Sequence, residues 1–235
     1  MSIAEKLTTI AENEQKVYDA GAKSEYDRFW GSYQNNGKRT NYNGAFYGSG
    51  WNNETFKPKH DIKPTGNNAV SMFRETAITG DLKTILEKLG VVLDTSGVTS
   101  FSYCFYNNKF EGLPFIDLSN NGNESISIAT AYVFANNSNL KRLEIKVSKT
   151  TTYSNIFNSC SALEELTVTG TIGQNGFSVS PSTKLTHDSL MSIINALYNY
   201  SGSGTTYTVT LGKTNLAKLT DAEKAVATEK GWTLA

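Results

Sequence analysis

The chain has 235 residues, and its 22 Lys and Arg balance 22 Asp and Glu, so the formal net charge is zero. A neutral chain lacks the excess positive charge on which nucleic-acid binding usually depends. No stretch approaches the roughly 18 consecutive apolar residues of a membrane span, and only four prolines occur. We therefore expect a folded protein without nucleic acid as a partner and without membrane insertion.

Residues 1–34 show the spacing of an amphipathic helix. Ile3, Leu7, Ile10 and Val17 fall on one helical face, although the pattern decays toward the end of the segment. Such a stripe can be buried in a short coiled coil, which would make the protein a homo-oligomer such as a trimer. It can equally be buried against the rest of its own chain, and the sequence leaves both alternatives open.

Residues 35–69 are rich in Asn, Gly and aromatic residues, and repeated Asn-Gly and Gly-Ser-Gly turn signals predict a long structured loop. Aromatic rings stack on the apolar faces of sugars, while amides bind hydroxyl groups. Tyr42, Tyr47 and Trp51 are accordingly the candidate ligand-binding residues. The same composition also suits a loop that packs its rings against a protein core, so this alternative stays open.

Residues 70–172 contain internal repeats. The stretch from Phe134 to Ile145 aligns with the stretch from Phe157 to Val168 at an offset of 23 residues, and the large apolar anchors of the two stretches coincide. This period is typical of leucine-rich repeats, in which each unit contributes a short strand to a parallel stack. We expect an α+β protein, with a leucine-rich-repeat-like solenoid of short parallel strands, the N-terminal amphipathic helix and an α/β C-terminal cap.

Two stretches resemble a known family. The stretch that begins Leu93-Asp94-Thr95-Ser96 and continues to Phe105 resembles the repeat unit of BspA-like leucine-rich repeat proteins. The pattern Phe-x-x-Cys-x-x-Leu-x-x-Leu-x-Val from Phe157 to Val168 is similar to the same unit. The resemblance covers about Val70 to Thr171. It implies a non-enzymatic binding or adhesion solenoid, of a kind common in surface proteins and phage or prophage proteins of gut bacteria, and the family has no catalytic residues to carry over.

Residues 173–235 have the pattern of a cap that covers the last repeat. A helix is predicted after the N-cap residue Thr186, and a second helix is predicted after the capping box that starts at Thr220. Short strands are expected at Tyr207 to Leu211 and at Trp232 to Leu234.

The residues offer little for catalysis. His60 and His187 are the two histidines, and neither has the spacing of a metal site or a nearby nucleophile. Cys104 and Cys160 fall inside the repeats, where a small apolar side chain suits the interior. We therefore predict no enzyme activity, no catalytic or metal-ligating residues and no cofactor.

The sequence favours a phage or prophage virion-associated protein, either in the tail or decorating the virion, that presents its repeat surface to a host protein or glycan. No signal peptide precedes the helix, so synthesis in the cytoplasm is expected, with the virion as a destination. A bacterial surface adhesion module and a cytoplasmic protein-binding scaffold are the alternatives.

Overall fold

The computed structural model describes residues 41–58 and 60–235, and the predicted helix of residues 1–34, with its coiled coil and trimer, lies outside them. Asn41–Ala235 form one compact unit. This unit is a mixed α/β structure with short parallel strands, few helices and no closed barrel among the described residues.

The strands are β1 (Thr65–Gly66), β2 (Thr79–Asp81), β3 (Gly97–Val98), β4 (Lys109–Gly112), β5 (Ile116–Leu118), β6 (Ile128–Ala129), β7 (Arg142–Val147), β8 (Thr151–Thr152), β9 (Glu165–Gly170), β10 (Tyr207–Val209) and β11 (Trp232–Leu234). The helices are α1 (Leu82–Leu89), α2 (His187–Ala196), α3 (Lys213–Leu216) and α4 (Asp221–Glu229), with a 3-10 helix at Asn120–Gly122.

The largest sheet is parallel and contains β2, β4, β5, β7 and β9. Leu143 of β7 pairs with Leu166 of β9, and the same offset of 23 residues holds along both strands, which confirms the alignment made from the sequence. Strands β4 and β5 both pair with β7, because Leu113, Pro114 and Phe115 interrupt what would otherwise be one strand. Proline lacks the N–H that a continuous strand would need here.

A second series of parallel contacts joins five turn segments, which we define as residues 42–48, 69–75, 101–107, 130–136 and 153–159. Each segment has a buried phenylalanine at its fifth position: Phe46, Phe73, Phe105, Phe134 and Phe157. Each also has residues with positive φ at its third and seventh positions, for example Tyr132 and Asn136. The third, fifth and seventh amides of one segment donate to carbonyl groups of the next, as in Tyr132 to Ser154.

The phenylalanine rings form a continuous core column. Neighbouring ring centroids lie 4.8 Å apart for Phe46 and Phe73, 5.5 Å for Phe73 and Phe105, and 5.8 Å for Phe105 and Phe134. The separation is 5.6 Å for Phe134 and Phe157, and all four pairs are stacked. The sequence interpretation began the repeats at about residue 70, but segment 42–48 is equivalent to the later ones. It therefore supplies the first phenylalanine of the column.

The residue that directly follows each of the last four turn segments is buried, and these residues form a second column: Thr76, Asn108, Asn137 and Cys160. Thr76 donates to Asn108, the Asn108 amide donates to Asn137, and the Asn137 side chain donates to the carbonyls of Phe105 and Phe134. The Cys160 thiol donates to Phe134. These side chains satisfy backbone groups that the tight turns leave without a helical or sheet partner.

The C-terminal region covers the edge of the large sheet. Helix α2 begins after Thr186, whose hydroxyl accepts from the Ser189 amide, as the sequence predicts. Ser189 and Ser192 on α2 accept hydrogen bonds from the backbone amides of Leu166 and Val168 in β9. The unpaired amides of an exposed edge strand can bind a strand of another chain. The two serines accept from these amides and so block such pairing along β9.

Helices α2 and α4 are joined at their N-termini by an ion pair. The Nε2 atom of His187 lies 2.7 Å from Oε1 of Glu223, which also completes the predicted capping box with Thr220. Its bond to Glu223 raises the pKa of His187 above the ordinary 6.5. The pKa of Glu223 is lowered from 4.5, first by the Thr220 amide, then by the Thr220 hydroxyl and His187.

We expect the pair of His187 and Glu223 to stabilise the folded protein most strongly between pH 4.5 and 6.5. The histidine contribution is complete below 6.5 and is lost as the pH rises through its higher folded pKa, whereas the glutamate contribution is complete above 4.5 and is lost as the pH falls. Melting temperatures of the wild type and His187→Gln should therefore differ most near about pH 5.5 and converge by about pH 9. A difference that stays constant over this range would contradict the prediction.

Candidate functional site

Three tyrosines lie side by side on the surface of the turn segments. The rings of Tyr103 and Tyr132 are stacked, with centroids 5.1 Å apart and an interplanar angle of 6°. Tyr106 meets the ring of Tyr103 edge-on at 5.4 Å, and its hydroxyl accepts a hydrogen bond from the side-chain amide of Asn136. All three rings are half-buried, so part of each remains available to solvent.

Arg74 and Tyr47 extend this group toward the start of the chain. The guanidinium carbon of Arg74 lies 5.2 Å from the ring centre of Tyr103, 5.3 Å from that of Tyr106 and 5.6 Å from that of Tyr47. These distances are within the range of cation–π attraction. We call the surface formed by Tyr47, Arg74, Tyr103, Tyr106 and Tyr132 the tyrosine surface.

The turn segments explain why these side chains share one surface. Residues at the fourth and fifth positions of each segment are buried, as are Cys104 and Phe105, while the third and sixth positions carry half-buried or exposed residues in the first three segments. Tyr103 and Tyr132 take the third position with φ values of 57° and 54°. A positive φ is uncommon for a bulky residue and is maintained only where the surroundings determine it.

The charges of this surface compensate each other. The Nε atom of Arg74 donates to Glu75 at 3.1 Å, and the hydroxyl of Tyr47 donates to the same carboxylate at 3.2 Å. The surface therefore offers aromatic faces, hydroxyl groups and one amide, with no excess charge. Aromatic side chains with a polar tip combine apolar contact area with hydrogen bonding, as at many recognition surfaces.

The three residues predicted from the sequence have different environments. Tyr47 is 51% exposed and belongs to the tyrosine surface. Tyr42 is 1% exposed, so its ring has no free face for a ligand, and its role is corrected to core packing. Trp51 is half-buried and meets the core ring of Phe46 edge-on at 5.2 Å, and its carbonyl accepts from Ala77.

The sequence interpretation missed Arg74, Tyr103, Tyr106 and Tyr132, although a signal was present. Tyr103 and Tyr106 occupy the third and sixth positions around Phe105, and Tyr132 occupies the third position around Phe134. Aligning all five phenylalanines would have placed these residues on one face. The interval between successive phenylalanines varies from 23 to 32 residues, which hides this alignment.

The outer face of the large sheet forms a second surface whose charges are also largely paired. Arg142 donates to Asp81 at 2.8 Å, and this bond raises the pKa of the arginine. Lys141 pairs with Glu111 at 2.9 Å. Phe115, which is 44% exposed, lines a cavity of about 280 Å³ on this face.

The cysteines and histidines lie apart from these surfaces. Cys104 and Cys160 are buried and free, as expected for interior positions, and burial raises the pKa of Cys160 to about 12. A thiol with such a pKa is not a nucleophile at neutral pH. Among the described residues, no group of three His, Cys, Asp or Glu side chains could hold a metal ion.

The comparisons with known proteins do not add a family. No family model matches the sequence, and no curated protein or solved structure gives a match. Within residues 41–58 and 60–235, no helix has the length and apolar character needed to cross a membrane.

Proposed function

We propose that the protein is a non-enzymatic binding protein whose repeats form a leucine-rich-repeat-like solenoid of the BspA-like type. The five equivalent turn segments, the parallel pairing of β7 with β9 and the phenylalanine column support this proposal. In such an architecture each unit contacts its neighbours, and side chains at equivalent positions form long surfaces. The tyrosine surface is one of these.

The ligand of the tyrosine surface is a glycan. The observation that carries this assignment is the half-exposed stack of Tyr103 and Tyr132 beside Tyr106, in a surface where Glu75 neutralises Arg74. Tyrosine faces can stack on sugar rings, and the hydroxyl groups can bond to sugar hydroxyls. A protein ligand is the other candidate, and the experiment below distinguishes the two.

The setting of this binding is a phage or prophage virion, in which the protein presents its repeat surface to the host cell. A bacterial surface adhesion module and a cytoplasmic protein-binding scaffold are the alternatives. Mass spectrometry of purified virions tests the first setting, and labelling of intact cells tests the second. Light scattering of the full chain, compared with a chain that lacks residues 1–34, tests the proposed trimer.

Substituting Tyr103 and Tyr132 together with alanine should weaken glycan binding by about 5- to 150-fold, since two aromatic contacts contribute about 1 to 3 kcal/mol. A glycan array identifies the ligand, and calorimetry measures its affinity for each variant. Tyr198→Ala is the matched control, because Tyr198 is a half-buried tyrosine that contacts Lys149 and Tyr200 in the C-terminal region. Equal affinities for the double variant and the wild type would refute the assignment of this surface.

Binding to host cells separates a glycan from a protein ligand. Periodate cleaves the vicinal diols of sugars, so periodate treatment of the cells should abolish binding, while protease treatment should leave it intact. The opposite pattern would replace the glycan with a protein ligand. Binding that survives both treatments would contradict the proposed function.

A further inference from the structure

The large sheet has an irregularity beside an exposed phenylalanine. Gly112 pairs with Arg142 and Ile116 pairs with Ile145, so the chain takes one residue more between the first two of these pairing points than β7 does. The extra residue lies between β4 and β5, in the segment that contains Phe115. Such β-bulges re-aim side chains and are common beside functional sites. Here the ring of Phe115 is directed to the outer face, where 44% of the residue is exposed.

The bulge borders the cavity of about 280 Å³ on this outer face, which we call the bulge pocket. Leu113 of the bulge and Leu143 of β7 both line the pocket and are buried, so they form its apolar floor. Phe115 adds an exposed aromatic ring to the lining. The pocket therefore offers apolar contact area to a side chain that enters it from outside.

The charged side chains of the lining do not compensate each other fully. Asp81, Glu144 and Glu165 are negative, whereas Lys83 and Arg142 are positive, so the lining has one negative charge in excess. Arg142 forms an ion pair with Asp81 at 2.8 Å. Within residues 41–58 and 60–235, neither Glu144 nor Glu165 has an ion-pair partner. A single cation from outside would therefore neutralise the pocket.

The neighbouring charges of the sheet, in contrast, are paired. Lys141 lies 2.9 Å from Glu111, and Lys146 lies 3.7 Å from Asp117. Paired polar groups around an apolar pocket are the arrangement found at protein interfaces, where a polar rim surrounds the site of one anchoring side chain. Arginine is enriched among such anchors.

We propose that the bulge pocket receives an arginine side chain of a partner protein. The aliphatic part of arginine can lie on the leucine floor, and its planar guanidinium can stack on the ring of Phe115. The guanidinium donors can bond to the carboxylates of Glu144 and Glu165, which lie on the adjacent strands β7 and β9. Lysine has the same charge but lacks the planar group. This inference does not depend on the proposed glycan site.

Titration with N-acetyl-arginine methylamide tests the occupant, because its blocked ends imitate a residue within a chain. NMR of the isotope-labelled full chain should show chemical-shift changes at the amides of Phe115, Leu143 and Glu144. The expected dissociation constant is on the order of 1 mM, as for a ligand of this size. The citrulline analogue has nearly the same shape without the charge, and it should bind about 2- to 30-fold more weakly.

Substitutions in the lining test the contacts. Replacing Glu144 and Glu165 together with glutamine should weaken binding of the arginine analogue by about 2- to 30-fold, the range for two exposed ion pairs. Phe115→Ala should weaken it by about 2- to 5-fold, the range for an exposed cation–π contact. All three residues are exposed, so the core stays intact. Glu124→Gln, at an exposed glutamate outside the lining, is the matched control and should keep full affinity.

Four outcomes would overturn the proposal. The first is the absence of shifts at the three amides up to about 10 mM arginine analogue, where a site of this affinity is mostly occupied. The second is equal binding of the citrulline or lysine analogue, and the third is tighter binding of N-acetyl-leucine methylamide, which would assign the pocket to an apolar side chain. The fourth is tighter binding of free arginine, which would replace the partner protein with the free amino acid.

The glycan assignment is tested separately from this one. Substituting Tyr103 and Tyr132 with alanine should leave binding of the arginine analogue unchanged, because neither tyrosine lines the bulge pocket. Failure of one proposal can therefore be distinguished from failure of the other.

Discussion

Replacing Phe134 with alanine should lower the free energy of unfolding by about 3 to 5 kcal/mol. Phe134 is fully buried, and its ring stacks between those of Phe105 and Phe157 at 5.8 and 5.6 Å. Its removal leaves a cavity in the middle of the column, because the backbone bonds of residues 130–136 to the segments on either side hold those segments at their present spacing. Chemical denaturation monitored by circular dichroism measures the loss.

Phe115→Ala is the matched control for this substitution. Phe115 is 44% exposed and interrupts the sheet between β4 and β5, so its loss should change stability by no more than about 0.5 kcal/mol. Similar losses for the two alanine variants would contradict the phenylalanine column as the main source of core stability.

Replacing Asn137 with alanine should cost about 2 kcal/mol or more, since it leaves the buried Phe105 carbonyl and the Asn108 amide without partners and the Phe134 carbonyl with only the weak Cys160 thiol donor. The Asn137 side chain donates to the carbonyls of Phe105 and Phe134, both at 2.7 Å, and accepts from the amide of Asn108 at 2.8 Å. No water can replace these bonds without entering the core, because Asn137 is fully buried.

Asn139→Ala provides the comparison for Asn137→Ala. Asn139 is exposed and has the same chemistry, so its substitution should have an effect within about 0.5 kcal/mol. Thermal and chemical denaturation of both variants measure the difference. If the two variants were equally stable, the buried polar column would have no structural importance.

The sequence predicted those elements whose signals are local. The capping box at Thr220 and Glu223 and the N-cap at Thr186 are present, because a helix start depends on hydrogen bonds within a few residues. The register of β7 against β9 was also predicted correctly, since two adjacent repeats of equal length keep the same apolar positions. Helix α1 was not predicted, although Asp81 caps its start and Gly90 ends it.

Repeats of unequal length were harder to recognise. Segment 42–48 was interpreted as part of a loop because Asn and Gly recur in it and on both sides of it, and these two residue types favour turns. The positive φ values of Gly44 and Gly48 match those of Tyr103 and Asn107 in a later segment. Equivalent backbone conformations with different residue types leave little trace in the sequence.

The sequence by itself determined that this protein has a repetitive core, since the phenylalanine, leucine and asparagine positions recur wherever a buried layer requires them. Only the tertiary structure decided which surface residues meet. Tyr47, Arg74, Tyr103 and Tyr132 are separated by up to 85 residues along the chain, and stacking of the turn segments brings them to one face.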